Sequence, residues 1–307
     1  MFKRLVIATR RSALALTQTR WVASRLERLY PELEIELLEL TTGGDRLAQR
    51  PGLGGKGLFV KELEEALARG DADVAVHSMK DVPMHLPAGF VIAAVPERED
   101  ARDAFVSNRY DSLEAAPEGA KIGTSSLRRM SAIKARFPRL NVTPLRGNVD
   151  TRLKKLDAEE YDAIVLAAAG LKRLELENRI TRFIAPDEII PAPGQGALAI
   201  EVLERNRTAL ELVAPLDHAA TASCIAAERA LSSALSGDCN LPLGAYAETR
   251  GNLLNLRAFV ATADGTNLIS DQLEGQADNA AALGAELANR LRSLGADRIL
   301  AKIKSAG

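Results

Sequence analysis

Lys80 and Asp81 stand side by side in His77-Ser78-Met79-Lys80-Asp81-Val82-Pro83, directly after the apolar run Val74-Ala75-Val76. The run reads as a buried strand, and Pro83 discourages both further ladder pairing and helix continuation. An ammonium and a carboxylate are thus set at a strand end, where open α/β folds bind ligands. Taken alone, the segment fits an ordinary solvated loop equally well.

Arginines repeat the same topological position. Arg10 and Arg11 follow the first apolar run, and Arg128 and Arg129 lie in Gly-Thr-Ser-Ser-Leu-Arg-Arg at the start of a predicted helix. Arg146 follows a strand in Leu-Arg-Gly-Asn-Val, Arg152 lies one turn into the next helix, and Arg173 follows Leu-Ala-Ala-Ala-Gly-Leu-Lys. Guanidinium forks bind carboxylates and phosphates bidentately. Helix starts at Ser125 and Asn148 would add oriented N–H donors. A scatter of solvated arginines is the bland alternative, but repetition at strand ends favours a polyanionic ligand in one cleft.

The two cysteines differ in setting. Cys224 lies in an apolar helical stretch and reads as a small core residue. Cys239 lies in the turn-like Ser-Gly-Asp-Cys-Asn-Leu-Pro-Leu-Gly and is the candidate for a reactive or modified thiol. His77, His85 and His218 lack metal-ligand spacing, so no metal is expected. Gly52-Leu53-Gly54-Gly55-Lys56-Gly57 matches a dinucleotide fingerprint only in letters, because Gln49-Arg50-Pro51 precedes it where a strand is required. It also lacks the first glycine and the final Ser or Thr of a phosphate-binding loop. A lid carrying Lys56 is what remains of that motif.

The elements that must position these groups alternate. Strands are predicted at 3–9, 33–40, 73–76 and 91–95, with helices after Ser12 and at 58–69. A charged break at 96–100 is followed by strands at 104–106, 121–124, 141–145 and 163–168 and helices at 125–137 and 149–156. The first helix is expected to pack through Leu14, Leu16, Trp21, Val22 and Leu26 and to stop at Pro31. Such alternation predicts mainly parallel sheets with right-handed crossovers. After the break Pro-Ala-Pro-Gly-Gln-Gly, a strand at 197–202 returns to the first domain, giving a clamshell with its cleft between the lobes. The remainder reads as a helix ending near 235, strands at 245–248 and 253–261, and a helix capped by Asp278.

A chain of 307 residues exceeds one ordinary core. Its net charge of -1 and 4% aromatic content argue against nucleic acid as partner. No apolar run approaches membrane-spanning length, the N-terminus does not read as a signal peptide, and two cysteines make no disulfide framework. The cytoplasm is the expected compartment.

Together these segments resemble the porphobilinogen deaminase (hydroxymethylbilane synthase) family. The resemblance is carried by residues 7–10, 54–63, 77–83, 103–108, 123–129, 145–149, 151–153, 155–164, 166–174 and 193–197, in the family's order. It implies an α/β protein of three domains: two periplasmic-binding-protein-like lobes forming a clamshell, at 1–96 with 197–214 and at 102–190, and a small α+β domain at 219–307. It implies a transferase, expected as a monomer, that joins four porphobilinogen molecules head to tail with loss of ammonia and then releases hydroxymethylbilane with water. It also implies a dipyrromethane cofactor held by a thioether to Cys239. By the same resemblance Asp81 is the catalytic carboxylate, stabilising the positive charge left when ammonia departs. Lys80, Asp81, Thr124, Ser125, Ser126, Arg128 and Arg129 hold the cofactor, Arg10, Ser12, Arg146, Arg152, Arg173 and Gln195 bind substrate or the growing chain, and Lys56 belongs to the lid. The chain departs from the family at Asp238, where glycine or serine is usual, and the 45–54 loop is shorter, with Gly43 where arginine is common. A carboxylate beside Cys239 disfavours its thiolate.

Overall fold

The computed structural model describes residues 3–43, 60–236 and 241–305. The chain divides into two compact units, one of residues 1–99 with 197–222 and one of 100–196 with 223–307.

The first unit begins with β1 (Arg4–Arg10), α1 (Ala13–Leu29), β2 (Glu34–Leu40), α2 (Lys61–Arg69), β3 (Val74–Ser78) and β4 (Phe90–Ala94). The second contains β5 (Asp103–Val106), β6 (Lys121–Gly123), α3 (Leu127–Arg136), β7 (Asn141–Thr143), α4 (Val149–Asp157), β8 (Ala163–Ala167), α5 (Ala168–Arg173) and β9 (Arg182–Ile184). The chain then supplies β10 (Leu198–Leu203) and α6 (Arg207–Val213) to the first unit. Helix α7 (Ala219–Ser236) follows, then β11 (Leu243–Arg250), β12 (Leu253–Ala261), β13 (Leu268–Gln276), α8 (Ala280–Ser293) and α9 (Ala296–Ser305).

The sheet of the first unit runs β2-β1-β3-β10-β4. Strand β1 is parallel to β2 and β3, whereas β10 is antiparallel to both β3 and β4. The sheet β7-β6-β8-β5-β9 repeats the idea: β6 is parallel to β7 and β8, and β5 is antiparallel to β8 and β9. The expected mainly parallel sheets are therefore mixed. An apolar run buried on both faces looks the same whichever way it enters the sheet.

Helix α1 starts as predicted, with the Ala15 N–H donating to Ser12 Oγ. Its buried face is Ala15, Gln18, Thr19, Val22, Ala23 and Leu26, while Trp21 is 36% exposed under the Arg25 guanidinium. Polar residues take the inner stripe because each finds a partner: the Thr19 hydroxyl donates to Thr9 Oγ1 at 2.7 Å, and Gln18 reaches Ser78. A satisfied buried polar group costs little, so apolarity alone finds Val22 and Leu26 but misses Gln18 and Thr19.

In the second unit the antiparallel sheet β11-β12-β13 presents Leu254, Leu256, Ala258 and Val260 to Leu283, Leu287 and Leu291 of α8. Phe259 and Ala261, on the opposite face, join the core built on Phe105, Ile122 and Ile133. Strands β9 and β13 are additions to the sequence reading. Helix α8 begins one residue later than expected, with Asn279 rather than Asp278 at its cap position.

Gly284 lets α8 approach the backbone of α7 closely. A Cβ there would lie 2.3 Å from the Ala227 carbonyl oxygen and 2.9 Å from the Leu231 nitrogen of α7. Backbone cannot yield as a side chain can. Gly284→Ala is expected to lower stability by about 1–3 kcal/mol, read as a lower denaturant midpoint at unchanged slope.

Candidate active site

In the first unit, the chain leaves β3 and makes a single 3-10 turn, Met79–Asp81. The turn is pegged on both sides. The Met79 side chain is 1% exposed and its N–H donates to the Ala197 carbonyl at 3.0 Å, and Val82 is fully buried. Just before it, Gln18 Nε2 donates to the Ser78 hydroxyl at 2.9 Å. Between the two pegs Lys80 and Asp81 are half-buried. The Asp81 carboxylate makes no hydrogen bond or ion pair to the described residues.

His77 is buried and lies 2.7 Å from Glu201 Oε2. It serves the sheet that carries the turn. Burial, reinforced by the charge of Glu201 and opposed by His77, raises the Glu64 carboxyl above its usual range. Arg10 ends β1 half-buried, and Ser12 spends its hydroxyl as the cap of α1.

The second unit holds the densest polar network. Arg128 and Arg129 start α3, whose cap is Ser126, accepting from the Arg129 N–H. Both guanidinium groups turn inward onto one carboxylate, Asp103, at the start of β5. Arg128 Nη2 donates to Asp103 Oδ1 at 3.0 Å and lies 2.8 Å from Oδ2, while Arg129 Nε donates to Oδ1 at 3.0 Å. Gln195 Nε2 donates to the same Oδ1 at 2.8 Å and to the Ala101 carbonyl at 2.7 Å. Its own carbonyl accepts from Arg129 Nη2 at 3.2 Å. Two further donors reach backbone, Arg128 Nη1 to Ile190 and Arg129 Nη1 to Val165.

Asp103 is 0% exposed and the two arginines 3% and 5%. Burial would raise the Asp103 carboxyl, yet the charges of Arg128 and Arg129, with hydrogen bonds from Arg129 and Gln195, hold it down to about 2. Burial and the like charge of Arg129 lower the Arg128 guanidinium below its ordinary value, opposed by Asp103. Two cations thus share one anion, a net surplus of one positive charge. Arg128 Nε is buried with no hydrogen-bond partner among the described residues, and so is Asp103 Oδ2, which is in ion-pair contact only. Such an orphaned donor beside surplus positive charge fits an incoming carboxylate, and a dipyrromethane bears several.

Most of the other predicted residues are fixed by bonds to the backbone. Ser125 donates to the Leu145 carbonyl at 2.8 Å, and Thr124 Oγ1 accepts from the Ser126 N–H. Asn148 caps α4. Arg152 Nε donates to the Gly147 carbonyl at 2.8 Å, and Arg173 Nη2 to the Gly196 carbonyl at 2.7 Å, next to Gln195. Gly147 has φ of +117°, which only glycine adopts without strain, so the backbone can turn from Arg146 into α4. Arg146 itself is exposed. Lys56 and Cys239 lie outside the described residues.

Sequence reasoning missed Asp103 as the partner of the arginines. The available signal was a carboxylate opening the apolar run Ala104-Phe105-Val106, where a buried charge demands a cation. It missed Gln18 and Glu201 for the same reason, since each is explained only by a distant partner. Among the described residues, no group of histidine, cysteine and acidic side chains could hold a metal ion, and no helix is long and apolar enough to cross a membrane.

Mixed sheets with cationic side chains at strand ends, and a buried cluster of two guanidinium groups on one carboxylate, define an α/β protein with a concentrated positive site. Residues 5–211 match the family model described as porphobilinogen deaminase, dipyromethane cofactor binding domain, and residues 222–293 match its C-terminal domain. Porphobilinogen deaminase of Methylobacillus flagellatus is 55% identical over 98% of this chain and 98% of its own. That of Nitrosomonas europaea is 54% identical over the same shares, and that of Laribacter hongkongensis 52% identical over 99% and 100%. Among solved structures, a nutrient-binding protein from Burkholderia cenocepacia bound to methionine aligns with a TM-score of 0.44 at 14% identity, covering 68% of this chain and 90% of that one. The chain belongs to the porphobilinogen deaminase family. It is a transferase of tetrapyrrole biosynthesis whose cofactor is dipyrromethane.

Proposed function

We propose that Asp81 is the catalytic carboxylate, that Lys80, Thr124, Ser125, Ser126, Arg128 and Arg129 hold the carboxylates of the dipyrromethane, and that Cys239 anchors it. Arg10, Ser12, Arg146, Arg152, Arg173 and Gln195 serve porphobilinogen and the growing chain, and Lys56 lies on a lid. The observation that carries this reading is the buried Arg128–Arg129–Asp103 cluster with its unpartnered Nε. When bound, the dipyrromethane supplies the pyrrole carbon to which the first substrate is joined.

The chain's own residues then bind and stabilise. Each porphobilinogen brings two carboxylates, so elongation calls for further cations, and bidentate guanidinium groups supply them. Asp81, unengaged by the described protein groups and fixed by its turn, can accept from pyrrole N–H groups. Its negative charge stabilises the cation formed as ammonia leaves, an effect that needs no reorganisation because the turn is already set. It can also take the proton lost when the new ring regains aromaticity.

The proposed organisation is three domains, 1–96 with 197–214, 102–190 and 219–307, acting as a monomer in the cytoplasm. Three separate sheets support the division.

The test is intact mass under denaturing conditions together with porphobilinogen consumption. Wild-type protein made in a haem-producing bacterium should carry a mass excess of two linked pyrroles and turn over. Arg146→Leu and Arg152→Leu should each slow elongation by roughly ten- to a hundred-fold, the loss of one charged hydrogen bond, and should leave partial chains visible by mass. Normal turnover in both variants would refute the roles given to these arginines.

A further inference from the structure

Asp103 presents a choice that the geometry resolves. A carboxylate arriving at Arg128 and Arg129 could displace Asp103 or join it. Displacement would strand a carboxylate that is fully buried and that accepts from Arg128, Arg129 and Gln195 at once. Joining it would cancel the surplus positive charge and give the orphaned Arg128 Nε an acceptor. Breaking a buried pair costs far more than completing one.

We infer that Asp103 is a permanent counter-ion, a positioning residue that stays on Arg128 and Arg129 while a second carboxylate completes a two-cation, two-anion cluster. The inference rests on the reading that these arginines hold the dipyrromethane. Asp103 does not touch the reacting atoms. It fixes both guanidinium groups in one orientation before the ligand arrives, which reduces the ordering cost of binding.

The test compares melting temperatures of empty and pyrrole-loaded protein, with loading read separately by intact mass. Empty samples come from a host unable to make porphobilinogen, and loaded samples from incubation with porphobilinogen. In Asp103→Asn, melting should fall by roughly 10 °C in the empty form and roughly half that in the loaded form, because the ligand carboxylate replaces only one of two anions. A loaded variant as stable as loaded wild type would mean that Asp103 is displaced, and would overturn the inference. Equal losses in both forms would mean a role indifferent to the ligand, and would also overturn it. If Asp103→Asn cannot be obtained folded, Asp103→Asn combined with Arg128→Gln removes one charge of each sign. That double variant keeps the net charge of the wild-type cluster and should fold, and failure to fold counts against the inference. Absence of the pyrrole mass from wild type would instead sink the cofactor reading itself.

Discussion

Asp81→Ala is expected to stop turnover almost completely while the dipyrromethane stays attached. Residual porphobilinogen consumption should fall by roughly a thousand-fold or more, since removing one preorganised electrostatic contact in an active site already costs about a hundred- to a thousand-fold. The variant should remain folded. What fixes the turn is the buried Met79 side chain, its N–H bond to Ala197 and the buried Val82, none of which involves the Asp81 carboxylate. The decisive pattern is a split: full pyrrole mass on the protein, native melting temperature, and no product. Asp81→Asn sharpens the result. It keeps the size and an acceptor oxygen but removes the charge, so an equally deep loss assigns the effect to stabilisation of positive charge. Substantial activity in Asp81→Asn would leave only hydrogen bonding to pyrrole N–H groups, and full activity in Asp81→Ala would remove the residue from the mechanism.

The sequence made some of this legible and hid the rest for physical reasons. Helix starts at Ser12 and Asn148 could be read because capping is local: an oxygen accepts from a backbone N–H three residues on. The strand before Lys80 could be read because a short apolar run stopped by proline has few other fates. The direction of β5 and β10 could not, since pairing sense is settled by distant partners and leaves no periodic mark. Strand β13 escaped because four of its five outward residues, Ser270, Gln272, Glu274 and Gln276, are polar and the strand is paired on one side only. In the site, every predicted arginine beyond a strand end was visible as a position. The inward turn of Arg128 and Arg129 was not, because it depends on a carboxylate at the start of another strand. Tertiary pairing, not propensity, made those two residues part of the core.

The second large effect is expected at Cys239. Cys239→Ser should carry no pyrrole mass at all, because a hydroxyl near neutral pH is a far weaker nucleophile than a thiolate toward the electrophile formed when porphobilinogen loses ammonia. The chain has only two cysteines, and Cys224 is 6% exposed within the core of α7, so the modification has no second thiol to move to. Intact mass and peptide mapping check this directly, and pyrroles found on Cys239→Ser protein would disprove the anchor. The empty variant should also melt lower than loaded wild type, since an occupied anion site stabilises the folded state by mass action and by cancelling the surplus charge at Arg128 and Arg129. Asp238 offers a graded control. A negative charge one residue from the thiol in sequence disfavours thiolate formation, so Asp238→Gly is expected to load faster from the empty state, with the difference largest near neutral pH and shrinking as alkali ionises the thiol in both proteins. A loading rate insensitive to Asp238 at every pH would show that attachment is limited by delivery of the pyrroles rather than by ionisation of the thiol.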